Sequence, residues 1–390
     1  MKKINLLILL SIIFISCGKS DDDYIEIATY PFVEAEFGSS LNLNNLDNYA
    51  NQSIPSYITK FNGQNNPITD KAVTLGRVLF YDKKLSSNNT ISCASCHKQE
   101  NAFSDTAVAS LGVNGTTERH TMRLVNARFS IESKFFWDER AATLEIQSTM
   151  PIKNHGEMGY SGENSDGNFN DLITKLNDVG YYKELFKFVF DSEEITESKM
   201  QLALSQFIRS IQSFDSKYDE GRSLAPNDGV PFTNFTQQEN QGKNLFLTPP
   251  VFNATGNRTS GGLGCNACHG APEFDIDPNS LNNGFGGSIA GTPDVTVTRA
   301  PSLRDVVKPN GELNGPLMHT GIITSLQAVV GHYGDMTNNL NNTNLDPRLK
   351  PNGFGQQLHL TAQEINSVIA FLKTLSGNNI YVDSKWSDPF

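Results

Sequence analysis

Two five-residue stretches of this chain share one pattern: Cys93-Ala94-Ser95-Cys96-His97 and Cys265-Asn266-Ala267-Cys268-His269. Each places a histidine directly after the second of two cysteines that are separated by two residues. The chain has 5 cysteines. Because the two stretches take all of them except Cys17, no cysteine pair remains for a disulfide bond. The thiols and imidazoles of both stretches therefore have another chemical use.

The pattern CxxCH is the attachment site of c-type haem. A short helical turn presents both thiols to the haem vinyl groups, and the imidazole of His97 or His269 then faces the iron. A zinc site made from the two CxxC pairs is the alternative. Zinc sites bring their pairs closer together than Cys93 and Cys265. The sequence therefore predicts two covalently bound haem c groups.

A similar helix is predicted ahead of each motif. Leu75-Gly76-Arg77-Val78-Leu79-Phe80 and Gln241-Gly242-Lys243-Asn244-Leu245-Phe246 share the pattern G-x-x-L-F. Thr69 or Asp70 can cap the first helix, and a capping box begins at Thr236 for the second. This weak internal repeat predicts two copies of a small helical haem-binding unit.

The rest of the chain favours the same organisation. Apolar residues recur at helical spacing after Thr196, and a second capping box begins at Thr361. Glycines and prolines between residues 215 and 234 are typical of an interdomain linker. We therefore expect a mainly α fold with long loops and two cytochrome-c-like helical haem domains. Their expected bounds are 17–55 for a tether and N-terminal arm, 56–220 for the N-terminal domain and 221–390 for the C-terminal domain.

The N-terminus has the pattern of a targeting segment. Lys2 and Lys3 precede an apolar run that ends at Ser16-Cys17-Gly18. A small residue before a cysteine resembles the cleavage site of bacterial lipoproteins. The alternative is an ordinary signal peptide in which this cysteine is incidental. We expect residues 1–16 to be a signal peptide and the mature protein to be exported, periplasmic or at the cell surface, with a lipid anchor on Cys17.

The charge of the chain restricts its partners. Its formal net charge is −11 at pH 7, and loss of the signal peptide makes it more negative by the two lysines that the peptide contains. Nucleic acid is therefore not an expected partner, and the membrane is expected to be reached by the lipid anchor only. An acidic surface suits a basic redox protein, although such a charge is also a common solubility feature.

Further motifs carry a resemblance to a known family. The chain resembles the bacterial di-haem cytochrome c peroxidases, which include the MauG type of tryptophylquinone-forming enzyme. The resemblance extends from about Leu75 to Gly377. It includes Leu85 to His97, Phe136-Trp137-Asp138-Glu139-Arg140-Ala141, Gln147, Pro151, Glu157-Met158-Gly159, Ala300-Pro301-Ser302-Leu303-Arg304, Pro316-Leu317-Met318-His319-Thr320-Gly321 and Phe371-Leu372-Lys373-Thr374-Leu375-Ser376-Gly377.

The resemblance implies a role for each matching residue. His97 becomes the proximal ligand of the peroxidatic haem, Glu157 its acid/base group and Gln147 a distal neighbour. Trp137 matches a tryptophan between the two haems; a buried core tryptophan is the alternative. The implied reaction reduces hydrogen peroxide with electrons from a small redox protein such as a c-type cytochrome or a cupredoxin.

The second haem needs an axial ligand besides His269. Many family members use a methionine there, and Tyr333 occupies that position in this chain, as in the MauG type. A phenolate oxygen is a harder ligand than a thioether and favours ferric iron. The resemblance therefore implies His/Tyr ligation, with Met318, Met336 and His332 as alternatives.

Two departures from the family pattern affect the first haem and a calcium site. Gly112-Val113-Asn114-Gly115 stands where the peroxidases carry a histidine that blocks the iron, so this iron is expected to be open unless His120 swings in. His120 also stands where the family has an asparagine ligand to calcium. Carbonyls of Asn314 and Pro316 could still contribute to such a site. His319 is expected near the second haem, where it can bond a propionate.

Three functions follow as hypotheses. The first is a cytochrome c peroxidase that reduces hydrogen peroxide to water. The second is a MauG-like enzyme that oxidises protein side chains. The third is a di-haem electron-transfer cytochrome without catalysis, which would keep both irons six-coordinate.

Overall fold

The structure, a computed structural model, describes residues 28–276, 278–296 and 298–390. The predicted signal peptide and Cys17 lie outside the described residues. Within these ranges, no helix has the length and apolar character needed to cross a membrane. The described chain is rich in helices and poor in strands. Its α-helices are α1 (Pro31–Phe37), α2 (Asp70–Tyr81), α3 (Cys93–Cys96), α4 (Leu144–Thr149), α5 (Phe169–Asn177), α6 (Gly180–Phe190), α7 (Glu197–Ser210), α8 (Lys217–Leu224), α9 (Gln237–Leu247), α10 (Leu326–Gly334) and α11 (Ala362–Lys373).

Over the described part of the chain, four short strands form two antiparallel pairs. Strands β1 (Pro250–Phe252) and β2 (Arg258–Gly261) pair ahead of the second CxxCH motif. Strands β3 (His269–Gly270) and β4 (Asp275–Ile276) pair directly after it. The remaining regular elements are 3-10 turns in the loops, including Cys265–Ala267 and Ser384–Trp386.

The long helices begin where threonine caps predicted them. The hydroxyl of Thr69 accepts the N–H of Ala72 at the start of α2, and Thr196 caps α7 in the same way. Helices α9 and α11 begin with the capping boxes at Thr236 and Thr361. Each cap satisfies a backbone N–H that the first helical turn leaves unpaired, which stabilises the helix by about 1 kcal/mol.

The G-x-x-L-F repeat marks two equivalent helix crossings. A methyl group on Gly76 of α2 would lie 2.1 Å from the carbonyl oxygen of Ala203 in α7. A methyl group on Gly242 of α9 would lie 1.8 Å from the carbonyl oxygen of Ser367 in α11. Glycine therefore lets each helix pair approach main chain to main chain. The crossings explain why glycine occurs at the same place in both copies.

The buried apolar side chains form two main clusters. The first contains residues of α2, α6 and α7, and the second contains residues of α9 and α11. Part of the predicted N-terminal arm belongs to the first cluster, because Val33 and Phe37 are buried there. The C-terminal residues Ile380 and Trp386 also pack in this first cluster, although the sequence placed them with the C-terminal domain.

The segment predicted as a linker contains a helix. Residues 217–224 form α8, which begins with a capping box between Ser216 and Asp219. Tyr218 of this helix is fully buried in the second cluster. Glycine and proline residues on the C-terminal side of α8 concealed this helix in the sequence.

Candidate functional site

The first CxxCH motif lines a cavity of about 600 Å³, open solvent included. Helix α3 supplies both cysteines, and a capping box between Ser92 and Ser95 fixes the start of this short helix. The other walls come from α2, α4, α7 and two loops. They include Phe80, Leu111, Gly112, Leu124, Gln147, Pro151, Glu157, Met158, Leu204 and Ile208.

The imidazole of His97 has the orientation and the neutral form that a metal ligand needs. Its Nδ1 lies 3.0 Å from the carbonyl oxygen of Phe103, to which it donates in the neutral ring. In that tautomer Nε2 carries no proton, and a hydrogen bond from the other ring nitrogen to a carbonyl is what commonly orients a histidine that binds a metal. Burial lowers the pKa of His97 to about 4, so the neutral form prevails at pH 7.

Glu157 and Gln147 are brought to the same cavity by different elements. Gln147 lies on α4, whereas Glu157 lies in the loop that follows this helix. Burial raises the pKa of Glu157 to about 7, and Glu118 adds to this effect while Arg140 opposes it. No described residue donates a hydrogen bond to its carboxylate. A carboxyl group with such a pKa can both accept and release a proton near neutrality.

The second CxxCH motif lines a larger cavity of about 2040 Å³, open solvent included. Burial lowers the pKa of His269 to about 4, and the carbonyl of Pro301, which faces the ring, opposes this change. The ring Nδ1 is buried and forms no hydrogen bond of normal geometry within the described chain. Three arginines, Arg123, Arg299 and Arg348, also line this cavity.

Two of the four candidates for the second axial ligand line this cavity. The amide nitrogen of Asn283 lies 3.5 Å from the Tyr333 hydroxyl and 3.5 Å from the Met318 sulfur. Tyr333 and Met318 are both among the lining residues. Burial raises the pKa of Tyr333, so its phenolate form requires a facing cation.

The other two candidates point elsewhere. The Nε2 atom of His332 lies 3.0 Å from the carbonyl oxygen of Asn283. Met336 is fully buried among Leu345 and Leu349. The described lining of the cavity contains neither residue. Tyr333 stays the predicted ligand, and Met318 is the alternative that the geometry leaves.

Trp137 lines the second cavity, and the described lining of the first cavity does not contain it. Its indole Nε1 donates to the carbonyl of His120 at 2.7 Å. Phe136, which directly precedes it, and Glu139, two residues after it, have φ angles of 72° and 58°. Non-glycine residues adopt this left-handed conformation rarely, so the surrounding structure constrains the orientation of Trp137.

His120 and His319 have partners in the main chain. Nδ1 of His120 lies 3.0 Å from the carbonyl oxygen of Ala107, and the ring lines the second cavity rather than the first. Nε2 of His319 lies 2.7 Å from the carbonyl oxygen of Gly287, and this ring does not line the described cavity wall. The predicted propionate contact of His319 therefore has no support from its placement.

The calcium ligands are only partly arranged for a cation. The Asn314 amide nitrogen donates to the carbonyl of Asp305 at 2.7 Å and to the hydroxyl of Tyr381 at 2.8 Å. Its buried Oδ1 has no hydrogen-bond partner. Over the described ranges, no cluster of three or more His, Cys, Asp or Glu could hold a metal ion. Calcium at Asn314 and Pro316 stays a prediction.

Several lining residues were not identified from the sequence. Arg299 directly precedes the family motif that begins at Ala300. Nothing else in the sequence indicates that Arg299 lines the second cavity. Arg123 and Asn283 lie in loops without a recognisable pattern. Gly112 belongs to the segment that stands in place of the family histidine, and the structure shows that it also forms part of the first cavity wall.

The residues at both motifs fit a haem. Within the described chain the four cysteines form no disulfide bond. Each pair lies on the wall of a cavity together with its histidine, and both histidines are held in the neutral form. Cys93, Cys96 and His97 would hold one haem, and Cys265, Cys268 and His269 the other.

Comparison with known proteins decides the family. The profile of a family described as "Di-haem cytochrome c peroxidase" matches residues 70–224. The methylamine utilization protein MauG of Methylorubrum extorquens is 30% identical over 321 residues, which cover 80% of this chain and 79% of that protein. This chain belongs to the di-haem cytochrome c peroxidase and MauG family. The family implies haem c as the cofactor and oxidoreductase chemistry as the activity.

Other members of the family lie at a similar distance. The cytochrome c551 peroxidase of Nitrosomonas europaea is 29% identical over 342 residues, covering 80% of this chain and 85% of that protein. A solved structure described as a MauG-like protein associated with microbial copper homeostasis has a TM-score of 0.65 and 27% identity. That match covers 87% of this chain and 99% of the other. Peroxidases and MauG proteins are thus equally similar to this chain, and the site must distinguish their reactions.

Proposed function

We propose that this chain is a di-haem cytochrome c peroxidase that reduces hydrogen peroxide to two water molecules with two electrons and two protons. The electrons come from an external small redox protein, such as a c-type cytochrome or a cupredoxin. The observation that carries the proposal is Glu157, because a carboxyl group with a pKa of about 7 shares a cavity with the haem ligand His97.

Each functional residue of the first cavity has a separate role in the proposed reaction. A haem held by the first motif supplies the iron at which peroxide is reduced. Glu157 would take the proton from one peroxide oxygen and deliver it to the other, so that the O–O bond breaks and the first water leaves. Two electrons from the external donor and two protons from solvent would convert the remaining oxygen to the second water. The Gln147 amide, which lines the same cavity, would donate a hydrogen bond to hydrogen peroxide. The bond from His97 to Phe103 fixes the orientation of the imidazole.

The substitution Glu157→Gln tests this proposal. The amide keeps the size of the side chain but cannot transfer the proton, so we expect peroxide turnover to fall by about 10²–10⁴-fold. Haem content and the absorption spectra of both haems should stay unchanged. The matched control is Glu118→Gln, which neutralises an exposed carboxylate near Glu157 and should retain turnover within about threefold. Full activity of the Glu157→Gln protein would refute the proposal.

A second candidate function is MauG-like oxidation of protein side chains. Tyr333 favours it, because an oxygen ligand would lower the potential of the second haem. A reductive titration tests this second function. A high-potential second haem that must be reduced before peroxide reacts would exclude the MauG-like enzyme, whereas a low-potential second haem keeps it as a candidate.

A non-catalytic cytochrome is the third hypothesis, and electron paramagnetic resonance tests it. An open first iron gives a high-spin ferric signal, whereas two six-coordinate irons give low-spin signals only. We expect one high-spin signal, which should change when peroxide or azide is added.

We also propose that the protein is exported and anchored by a lipid on Cys17. The support is the sequence Ser16-Cys17-Gly18 at the end of an apolar run. Mass spectrometry of the mature protein should find residue 17 as a diacylated N-terminus. The substitution Cys17→Ala should release the protein from the membrane fraction. An unmodified Cys17 in the mature chain would refute the anchor.

A further inference from the structure

A tight hairpin closes one side of the first cavity. The chain reverses between Leu111 and Thr116, which form an antiparallel bridge. Two main-chain bonds hold the turn: Gly112 N donates to Gly115 O at 2.9 Å, and Thr117 N donates to Ser110 O at 2.9 Å. We call residues 110–117 the Gly112 hairpin. Because it is tied by its own main chain, it acts as one unit.

The Gly112 hairpin is bonded to the loop that carries Glu157. Val113 N donates to the carbonyl of Glu157 at 2.9 Å, and Asn114 N donates to the carbonyl of Gly156 at 3.2 Å. The Asn114 side-chain amide donates to the carbonyl of His155 at 3.0 Å. Three consecutive carbonyls before and at Glu157 are therefore held by two residues of the hairpin.

Gly112 makes this contact sterically feasible. A methyl group at residue 112 would lie 2.1 Å from Gly156 O, 2.7 Å from Glu157 Cα and 2.9 Å from Glu157 O. All three atoms belong to the main chain, so a side-chain rotation cannot relieve the clash. Gly112 also lines the first cavity, beside Glu157. The glycine is required for space at the point where the two loops touch.

The carboxylate of Glu157 depends on this support. No described residue donates a hydrogen bond to it, so its position follows from its backbone and from the walls around it. The raised pKa depends on the same walls, because burial is its main cause. A shift of the loop would change both the direction of the carboxylate and its access to water.

We propose that the Gly112 hairpin positions Glu157 in the first cavity through its steric and hydrogen-bond contacts with the loop that carries Glu157. The inference rests on the proposed function and deepens it. Residues 111–116 are Leu, Gly, Val, Asn, Gly and Thr, and none of them has a side chain that commonly binds haem iron. The hairpin thus supplies steric and hydrogen-bond support to the acid/base residue.

The substitution Gly112→Ala tests the proposal. The added methyl group should push the Glu157 loop outward and admit water. We expect kcat/KM for hydrogen peroxide to fall at least tenfold, and the midpoint of its pH profile to move below the wild-type value. Haem content and both ferric spectra should persist. The matched control is Gly156→Ala on the other side of the contact, where a methyl group would meet only Asn154 Oδ1 at 3.4 Å and Thr116 O at 3.9 Å. This variant should stay within about threefold of wild type.

A second variant tests the hydrogen bonds without a clash. Asn114→Ala removes the side-chain bond to His155 and leaves both main-chain bonds, so it should lower kcat/KM two- to fivefold with a pH shift in the same direction. Wild-type rates and pH profiles in both variants would overturn the proposal. So would a loss of thermal stability with an unchanged pH profile, because the hairpin would then be merely structural.

Two outcomes separate this inference from the proposed function. If Glu157→Gln is inactive while Gly112→Ala behaves as wild type, the hairpin has no positioning role and the peroxidase proposal stands. If Glu157→Gln is active, the acid/base role of Glu157 itself is wrong.

Discussion

At the residue scale, the burial of Glu157 has a consequence for pH dependence. A protonated carboxyl group cannot take the proton of peroxide, and burial places the pKa of Glu157 at about 7. We therefore expect kcat/KM to be constant above about pH 7 and to fall roughly tenfold for each pH unit below it. Steady-state rates between pH 5 and 9 measure this profile. Glu157→Gln should give a low and flat profile, and a wild-type profile without an inflection between pH 6 and 8 would contradict the assignment.

The identity of the second axial ligand at the second haem also depends on single residues. Tyr333→Phe removes the hydroxyl while keeping the ring, so Met318 becomes the remaining candidate in the cavity. Loss of a hard oxygen ligand should raise the reduction potential of this haem by more than about 59 mV, which is a tenfold change for one electron. Spectroelectrochemical titration measures the shift. Met318→Leu is the matched control and should leave the potential unchanged; the opposite pattern would identify Met318 as the ligand.

Sequence alone could not separate the four ligand candidates, because they lie within 19 positions of one another. His332 and Tyr333 are neighbours on α10, and successive residues of a helix point about 100° apart. The structure places Tyr333 in the lining of the second cavity and His332 outside its described lining. The residues of the first site were easier to predict, because the family motifs contain Gln147 and Glu157 themselves.

At the scale of elements, the two helix crossings predict that alanine in place of either glycine destabilises the protein. Gly76→Ala and Gly242→Ala each force a methyl group against a carbonyl of the partner helix. We expect each to destabilise the protein by about 1–3 kcal/mol or more, measured as a lower Tm of the haem-loaded protein. Gly331→Ala in α10 is the control, since a methyl group there meets open space. It should be neutral or stabilise by up to about 1 kcal/mol. Equal Tm values for all three variants would contradict the crossing geometry.

Elements with a local signal were predictable and others were not. The caps at Thr69, Thr196, Thr236 and Thr361 confirmed the predicted helix starts, because capping needs only neighbouring residues. The partner of each glycine crossing could not be predicted, because Ala203 and Ser367 present a backbone carbonyl, which every residue has. The G-x-x-L-F repeat indicated that the two glycines are equivalent without showing what they touch.

At the scale of the whole molecule, the C-terminal segment joins the two halves. It follows α11 of the second cluster and then returns to the first, where Tyr81 donates to the carbonyl of Trp386 at 2.6 Å and Arg77 to that of Ser387 at 2.7 Å. These donors lie on α2, the helix ahead of the first haem motif. The sequence contains no sign of this return, because its partners are some 300 residues away and the acceptors are main-chain carbonyls.

This return predicts that a change near the C-terminus affects the first half of the protein. Trp386 is 2% exposed, and its indole nitrogen donates to Ser210 of α7 at 3.3 Å. Trp386→Ala should cost about 3–5 kcal/mol through the cavity that it leaves, and so lower Tm by about 6 °C or more.

Val382 of the same segment is 77% exposed, so Val382→Ala is the control and should change stability by less than about 0.5 kcal/mol. Circular dichroism gives both Tm values, and the absorption of each haem during unfolding shows which half is lost. If Trp386 supports the first cluster, the His97 haem should lose its native spectrum at a lower temperature than the His269 haem in the Trp386→Ala protein. If both haems lose their native spectra at the same temperature, the two clusters unfold as one unit. The helices of the first cluster would then be no more sensitive to the C-terminal segment than those of the second cluster.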